Sequence, residues 1–318
     1  MTVNGEERQL NPGKLIALVA VLIIIIAIVA TCNKKNNTKE KTPVAGVTTT
    51  QKAVTTTAPP VDEKTLVVAE TDVILGNLIL VNSQHPVQVT GTKEEIAEIL
   101  NLKNVLENGN DYVHVTENAI DLSKDALSAF ASLMTDYYKV NGKDDIKIRN
   151  GYSSVDKLFD LATGLSFDIK LRDNFNGSGK YVYDAADPQW FMWVTDHAAD
   201  YGFIVRYPKG KSAVTLIDAD KESDSIFRYV GIPHAKYITE NGLVLEEYLP
   251  LITTKTKNSP LEIEANALDQ VSGLATTPTK YSVYYVSKAD AIGGIKYTSK
   301  NIKVSGDNMD GFIVTTWN

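Results

Sequence analysis

The sequence predicts an α+β protein, because helical and strand patterns are mixed along the chain without the regular alternation of a doubly wound sheet. Residues 122–139 place apolar side chains at three- and four-residue spacing, which is typical of an amphipathic helix. Residues 203–207 and 225–230 are short runs rich in β-branched and aromatic residues, which predict strands. Residues 251–318 consist of Tyr- and Val-rich runs between Gly, Asn and Asp, which predicts a small β-rich region.

The first element is an uninterrupted apolar run over residues 15–31, preceded by a polar tail over 1–14. As a helix it would rise about 26 Å, close to the ~30 Å hydrocarbon core of a bilayer. We therefore expect an uncleaved transmembrane anchor. Two alternatives stay open, namely a cleaved signal peptide and a lipoprotein acylated at Cys32, although Thr31 stands where a smaller residue is usual.

Residues 32–63 are rich in Thr, Pro and Lys and contain almost nothing to bury. Such a segment cannot offset its ordering entropy, so we expect a flexible spacer. More basic residues follow the apolar run than precede it, and this bias alone would place the C-terminal region in the cytoplasm.

Charge and cysteine content exclude several classes of function. The net charge is −7, which argues against a nucleic-acid partner. Cys32 is the only cysteine, so neither a disulfide framework nor a cysteine-rich metal site can form. The sequence also contains no phosphate-binding loop, dinucleotide fingerprint or nucleophile elbow.

The remaining elements of the globular region follow in order. We predict strands or extended segments at 66–68 and 77–82, then strands at 143–149 and 163–170. A helix over 189–201 should end at Gly202.

Four motifs then occur in a fixed order: Gly-Tyr-Ser-Ser at 151–154, Thr-Gly-Leu-Ser-Phe-Asp at 163–168, Tyr-Gly-Phe-Ile-Val-Arg-Tyr-Pro at 201–208, and Phe-Arg-Tyr-Val-Gly at 227–231. In this order they resemble the VanY-type D-alanyl-D-alanine carboxypeptidases, zinc peptidases that trim D-alanine from peptidoglycan stem peptides. The resemblance implies a domain over 64–250 with a small antiparallel sheet, helices around it, and zinc on the sheet. Residues 251–318 would be an appendage to this domain.

The resemblance also implies where the family's functional residues fall. Asp168 stands at the aspartate ligand, whereas Leu161 and Ile226 stand at the two histidine ligands. Ser223 replaces the glutamate base, and Ser153 replaces the arginine that binds substrate. Because Leu and Ile have no donor atoms, we expect no zinc site and no catalytic residue. Asp168 should instead be bonded to a backbone amide, a hydroxyl or a basic side chain.

Neighbouring polar residues offer little replacement. Glu222 lies one residue from the base position, and in a strand it would face the opposite side unless a bulge intervenes. His197 and His234 match no ligand position, and we interpret them as surface or satisfied core histidines. We interpret the basic residues after the strand at 203–207 as a solvated turn, or alternatively as a site that attracts anions: Arg206, Lys209 and Lys211.

These observations lead to the hypothesis of a membrane-anchored, extracytoplasmic cell-envelope protein that binds a peptidoglycan stem peptide or a protein partner without catalysis. The extracytoplasmic location rests on the resemblance alone. One alternative is an active metallo-carboxypeptidase that trims D-alanine with zinc held by unorthodox ligands. Another is a structural surface protein that binds through residues 251–318.

Overall fold

The computed structural model describes residues 62–88, 99–101, 112–115, 120–153, 159–171, 174–175, 181–182, 188–268 and 275–318. The expected anchor at 15–31, the tail at 1–14 and nearly all of the linker at 32–63 lie outside these ranges. Within the ranges, no helix is long and apolar enough to cross a membrane. Residues 60–318 form one compact unit.

The helices and strands of the described residues are numbered here in chain order. The α-helices are α1 (Lys124–Asn141), α2 (Pro188–His197), α3 (Ser212–Thr215), α4 (Ile232–Glu240) and α5 (Leu245–Thr253). The strands are β1 (Lys64–Leu66), β2 (Ile99–Asn101), β3 (His114–Val115), β4 (Asp121–Ser123), β5 (Ile146–Asn150), β6 (Ser166–Leu171), β7 (Asn174–Phe175), β8 (Tyr181–Val182), β9 (Phe203–Tyr207), β10 (Ser223–Tyr229), β11 (Leu261–Leu268), β12 (Ala275–Ser287), β13 (Ile295–Tyr297), β14 (Asn301–Gly306) and β15 (Gly311–Trp317). Short 3-10 turns occupy Glu70–Ile74, Asp160–Thr163, Ala198–Tyr201 and Ala219–Lys221.

A five-stranded sheet, in the order β3-β5-β6-β10-β9, forms the centre of the peptidase-like region. All its pairs are antiparallel except β3 with β5. One face packs against α1, where Phe130 meets Phe167 of β6 edge to face with ring centroids 4.8 Å apart. Within the sheet, Phe167 meets Phe203 of β9 in the same way at 5.2 Å. The sequence-predicted α+β class and small antiparallel sheet are therefore confirmed.

Helix α1 begins and ends two residues later than the apolar periodicity predicted. It begins after Ser123, whose hydroxyl accepts a hydrogen bond from the Ala126 amide at 3.3 Å. It ends at Gly142, where the backbone reaches φ 65°, a conformation that favours glycine. The predicted helix at 189–201 is α2 followed by a 3-10 turn, which ends at Gly202 as expected.

The β-rich region predicted at 251–318 is a four-stranded antiparallel sheet in the order β11-β12-β15-β14. Its inner face packs on α4 and α5, with Ile263, Val283 and Ile313 in the same apolar cluster as Tyr248. Strand β1 pairs with β13, so the start of the described chain is joined to this C-terminal region.

Residues 77–82, predicted as a strand or an extended segment, join none of the described sheets. Three of their backbone carbonyls accept hydrogen bonds from arginine side chains instead of from a neighbouring strand. Arg228 donates to the carbonyls of Asn77 at 3.1 Å and Ile79 at 3.0 Å. Arg206 donates to the carbonyl of Val81 at 3.0 Å.

Candidate functional site

Asp168 lies near the centre of the five-stranded sheet, on β6. Its register partner on β10 is Ile226, and its partner on β5 is Asn150. Leu161 lies in the 3-10 turn before β6, and its carbonyl accepts a hydrogen bond from the Ser153 amide at 3.4 Å. The structure therefore places Asp168 beside Ile226, as the motif order predicts, and Leu161 beside Ser153.

Asp168 is held by side chains on both neighbouring strands, and its own side chain is only 4% exposed. Arg149 donates from Nε to Oδ2 at 2.7 Å and also from Nη2 to the same oxygen. Ser225 donates from Oγ to Oδ1 at 2.7 Å. The prediction that Asp168 would be bonded to a hydroxyl or a basic side chain is confirmed.

A β-bulge explains how Arg149 reaches Asp168. Ile148 pairs with Ile169 and Asn150 pairs with Asp168, so Arg149 is an extra residue on β5 without a partner in the register. Such an insertion bends the strand locally and redirects a side chain. Arg149 is half exposed, and its guanidinium places a fixed positive charge against the carboxylate.

The residues around Asp168 do not fit a zinc ion. Both carboxylate oxygens already accept hydrogen bonds, and Leu161 and Ile226 offer no donor atom. Nowhere in the described parts of the chain do three or more His, Cys, Asp or Glu side chains come together as metal ligands. A zinc ion that has lost its hydration shell would therefore have Asp168 as its ligand here, and that carboxylate already bonds to the Arg149 guanidinium.

Ser223, at the position of the family's base, joins a chain of hydroxyls. Its Oγ lies 2.8 Å from the Ser225 Oγ, which in turn donates to Asp168. A serine hydroxyl is a poor proton acceptor near neutral pH, so this chain can position a ligand but cannot replace a carboxylate base.

Glu222 is engaged elsewhere. Its carboxylate accepts hydrogen bonds from the backbone amides of Gly210 at 2.9 Å and Ser212 at 2.6 Å. These bonds lower the pKa of Glu222. The pairing of β10 with β9 does shift between Ser223 and Phe227, but Glu222 binds the turn after β9.

A buried ionic network that the sequence analysis missed lies beside the site. Asp160 accepts from Arg228 Nη1 at 2.5 and 2.6 Å, and also accepts from the Ser166 hydroxyl. Arg206 donates to both oxygens of Glu246 at 3.0 and 2.8 Å, and its Nε lies 3.4 Å from Asp160 in an ion pair without a hydrogen bond. Asp160, Arg206 and Arg228 are fully buried.

The network corrects the interpretation of Arg206 as part of a solvated turn. That interpretation was wrong, because Arg206 points into the interior and its charge is balanced there by Asp160 and Glu246. Lys209, by contrast, is exposed, and Lys211 bonds to Glu247 at 2.9 Å. Arginine followed by tyrosine ends both β9 and β10 after apolar residues, and this repeated charge next to buried positions was the available signal.

His234 is a satisfied core histidine, as predicted. Its Nδ1 lies 2.7 Å from the Tyr248 hydroxyl, and its Nε2 lies 3.0 Å from Thr315 Oγ1. Burial lowers the pKa of His234 to about 3, so the ring is neutral. His197 stacks on Trp193 with ring centroids 4.2 Å apart.

Comparison with known proteins identifies sequence relatives of this chain. The chain is 29% identical over 267 residues to a D-alanyl-D-alanine carboxypeptidase of Enterococcus faecium, covering 80% of this chain and 79% of that protein. It is 36% identical over 87 residues to the bifunctional D-Ala-D-Ala dipeptidase and D-Ala-D-Ala carboxypeptidase VanXYC of Enterococcus gallinarum, covering 27% of this chain and 43% of that protein. No family model matches the chain.

Among solved structures, the vancomycin resistance D,D-dipeptidase VanXYg, in complex with a D-Ala-D-Ala phosphinate analogue, shares the fold. The TM-score is 0.59 at 23% identity, and the match covers 80% of this chain and 99% of that one. This structural match and the alignment with the Enterococcus faecium carboxypeptidase each cover more residues than region 64–250 contains.

Proposed function

The chain belongs to the family of VanY- and VanX-type D-alanyl-D-alanine carboxypeptidases, and from this premise we propose that it binds peptidoglycan stem peptides in the cell envelope without hydrolysing them. The observation that carries the proposal is that both oxygens of Asp168 accept hydrogen bonds, one from Arg149 and the other from Ser225. Leu161 and Ile226, at the family's histidine positions, add no ligand atoms. A carboxypeptidase of this family needs a metal-activated water, and this donor set does not support one.

The residues around Asp168 include polar groups that suit a peptide. Arg149 is half exposed, so a peptide carboxylate can approach its guanidinium from the solvent side while Asp168 holds it from below. The hydroxyls of Ser223 and Ser225 are only partly buried and can bond to peptide groups. These are contacts that position a ligand, and none of them attacks a peptide bond.

Anchoring in the membrane is part of the same proposal. It rests on the apolar run at 15–31, and the spacer at 32–63 would let the domain reach peptidoglycan from the bilayer surface. The extracytoplasmic orientation rests on the substrates that the names of the relatives state, against the distribution of basic residues around the run.

The test is an assay of the full chain, supplied with zinc, on a pentapeptide ending in D-Ala-D-Ala. We expect binding by calorimetry, no release of D-alanine, and less than one zinc per chain after gel filtration. Arg149→Met should weaken peptide binding, whereas Lys209→Met, which removes an exposed charge on a neighbouring turn, should not. Release of D-alanine that a chelator abolishes would instead establish the active alternative.

A further inference from the structure

A second cavity lies away from Asp168, between the N-terminal end of α4 and the four-stranded sheet. Its volume is about 320 Å³, at the lower end of the range for small-molecule sites. Neither Asp168, Arg149 nor Ser225 lines it. The peptidase-like region and the C-terminal sheet therefore share a separate pocket.

The floor of the cavity is built by three neighbouring strands whose lining residues stand opposite one another. Tyr281 on β12 pairs with Trp317 on β15, and Lys303 on β14 pairs with Thr315 on β15. Thr315 and Trp317 are two residues apart on one strand, so they face the same side. One face thus presents the partly exposed Trp317 ring, packed on the buried Tyr281 ring with centroids 5.6 Å apart, next to a polar pair.

The opposite wall comes from residues 229–234 and is fastened to the floor. The imidazole of His234 bonds to the Tyr248 hydroxyl and to Thr315 Oγ1, which connects α4 and α5 with β15. Tyr229 also lines the cavity, beside the floor residue Tyr281. The pocket is therefore preformed and does not require a closing movement.

Polar side chains are fixed at the edge of the cavity by Asp125 of α1. Asp125 accepts from Lys303 Nζ at 2.8 Å and from Asn77 Nδ2 at 3.4 Å. Because Lys303 and Asp125 neutralise each other, the edge offers directed hydrogen bonds without a net charge. An anion would gain little from this edge, and a purely apolar ligand would leave its donors and acceptors unpaired.

We propose that this cavity binds a neutral saccharide ring. A sugar ring has an apolar C–H face that can lie on the partly exposed Trp317 ring, and hydroxyls at its rim that can bond to Asn77, Lys303 and Asp125. The volume accommodates about one ring with part of a neighbour. Its lining residues are separate from Asp168 and Arg149, so the saccharide and the peptide should not compete for one site.

The test is calorimetric titration of the full chain, held in a detergent without a sugar headgroup, with triacetylchitotriose and with cellotriose. At least one trisaccharide should bind with a dissociation constant on the order of 1 mM or lower. Trp317→Ala should weaken that binding by about tenfold, the loss expected for one stacking ring. Asn77→Ala should also weaken it. Tyr297→Ala removes a partly exposed tyrosine of β13 that does not line the cavity, and it should change nothing.

Thermal unfolding of each variant will confirm that it is folded, and Asn77→Ala still tests the cavity if Trp317→Ala does not fold. The pentapeptide ending in D-Ala-D-Ala should bind Trp317→Ala as it binds the unmodified chain. The proposal is overturned if neither trisaccharide binds, if both cavity variants bind as the unmodified chain does, or if the pentapeptide displaces the saccharide.

Discussion

Replacing Asp160 with asparagine should destabilise the protein strongly, because this carboxylate balances two buried guanidinium groups. Arg206 and Arg228 are fully buried, and apart from Asp160 the only carboxylate bonded to either of them among the described residues is that of Glu246. Asparagine keeps the volume and some hydrogen bonds but removes the charge. Breaking a buried ion pair from one side costs about 3–5 kcal/mol, which is a large part of a total stability of ~5–15 kcal/mol.

The assay is urea unfolding of the full chain followed by far-UV circular dichroism, with Asp218→Asn as the matched control. Asp218 lies 3.2 Å from Lys221 in an ion pair whose carboxylate side chain is 74% exposed, and such pairs contribute about 0–1 kcal/mol. We expect Asp160→Asn to lose at least ~3 kcal/mol and the control to lose less than ~1 kcal/mol. Equal small losses in both variants would refute the view that the buried network holds this region together.

Three further predictions concern pH, metal binding and membrane attachment. Burial acts to raise the pKa of Asp160, but the charges of Arg228 and Arg206 outweigh it and lower that pKa, so the stabilisation is complete above about pH 4 and is lost as the pH falls through the folded-state value. The stability difference between the unmodified chain and Asp160→Asn should therefore shrink in acid, and a constant difference from pH 7 to pH 2 would contradict this. The double variant Leu161→His/Ile226→His should bind little zinc, because Arg149 still bonds to Asp168. Adding Arg149→Ser should raise the zinc content, measured by atomic absorption, towards one per chain. Equal zinc in both variants would show that Arg149 does not compete with zinc for Asp168. The full chain should sediment with membranes in high salt, and deletion of residues 1–31 should release it; a soluble full chain would rule out the anchor.

The sequence was sufficient for most of the fold because the relevant signals are local. The three- and four-residue spacing in α1 and the stop at Gly202 depend on neighbouring residues, and both appear within two residues of the predicted positions. Residues 77–82 have the composition of a strand but bond to Arg206 and Arg228, which lie more than a hundred residues away in the sequence. Such long-range contacts leave no periodic pattern to read.

The same distinction applies to the site. Motif order placed Asp168 and Ile226 side by side, since antiparallel neighbours in a conserved topology keep their register. The role of Arg149 was not predictable, because it depends on a bulge that shifts β5 against β6 by one residue. The sequence predicted that the Asp168 carboxylate would have a hydrogen-bond partner but did not identify the residue.

Strand alternation explains how the fold can persist without zinc ligands at the family's positions. Phe167, Phe203 and Phe227 face α1 from β6, β9 and β10, so the residues next to them face the other side. On that other side, Asp168 and Ile226 lie one two-residue step from Ser166 and Arg228, which belong to the ionic network.

The network joins the turn at Asp160–Thr163, both strands β9 and β10, and helix α5 through Glu246. These connections do not pass through Asp168, so a change at Leu161 or Ile226 alters the surroundings of the family's metal position and leaves the scaffold in place. The step that does oppose a metal is the approach of Arg149, because a guanidinium bonded to the carboxylate must be displaced before an ion can bind there. Histidines alone are therefore insufficient to rebuild the site, and removal of Arg149 is the change on which zinc binding depends.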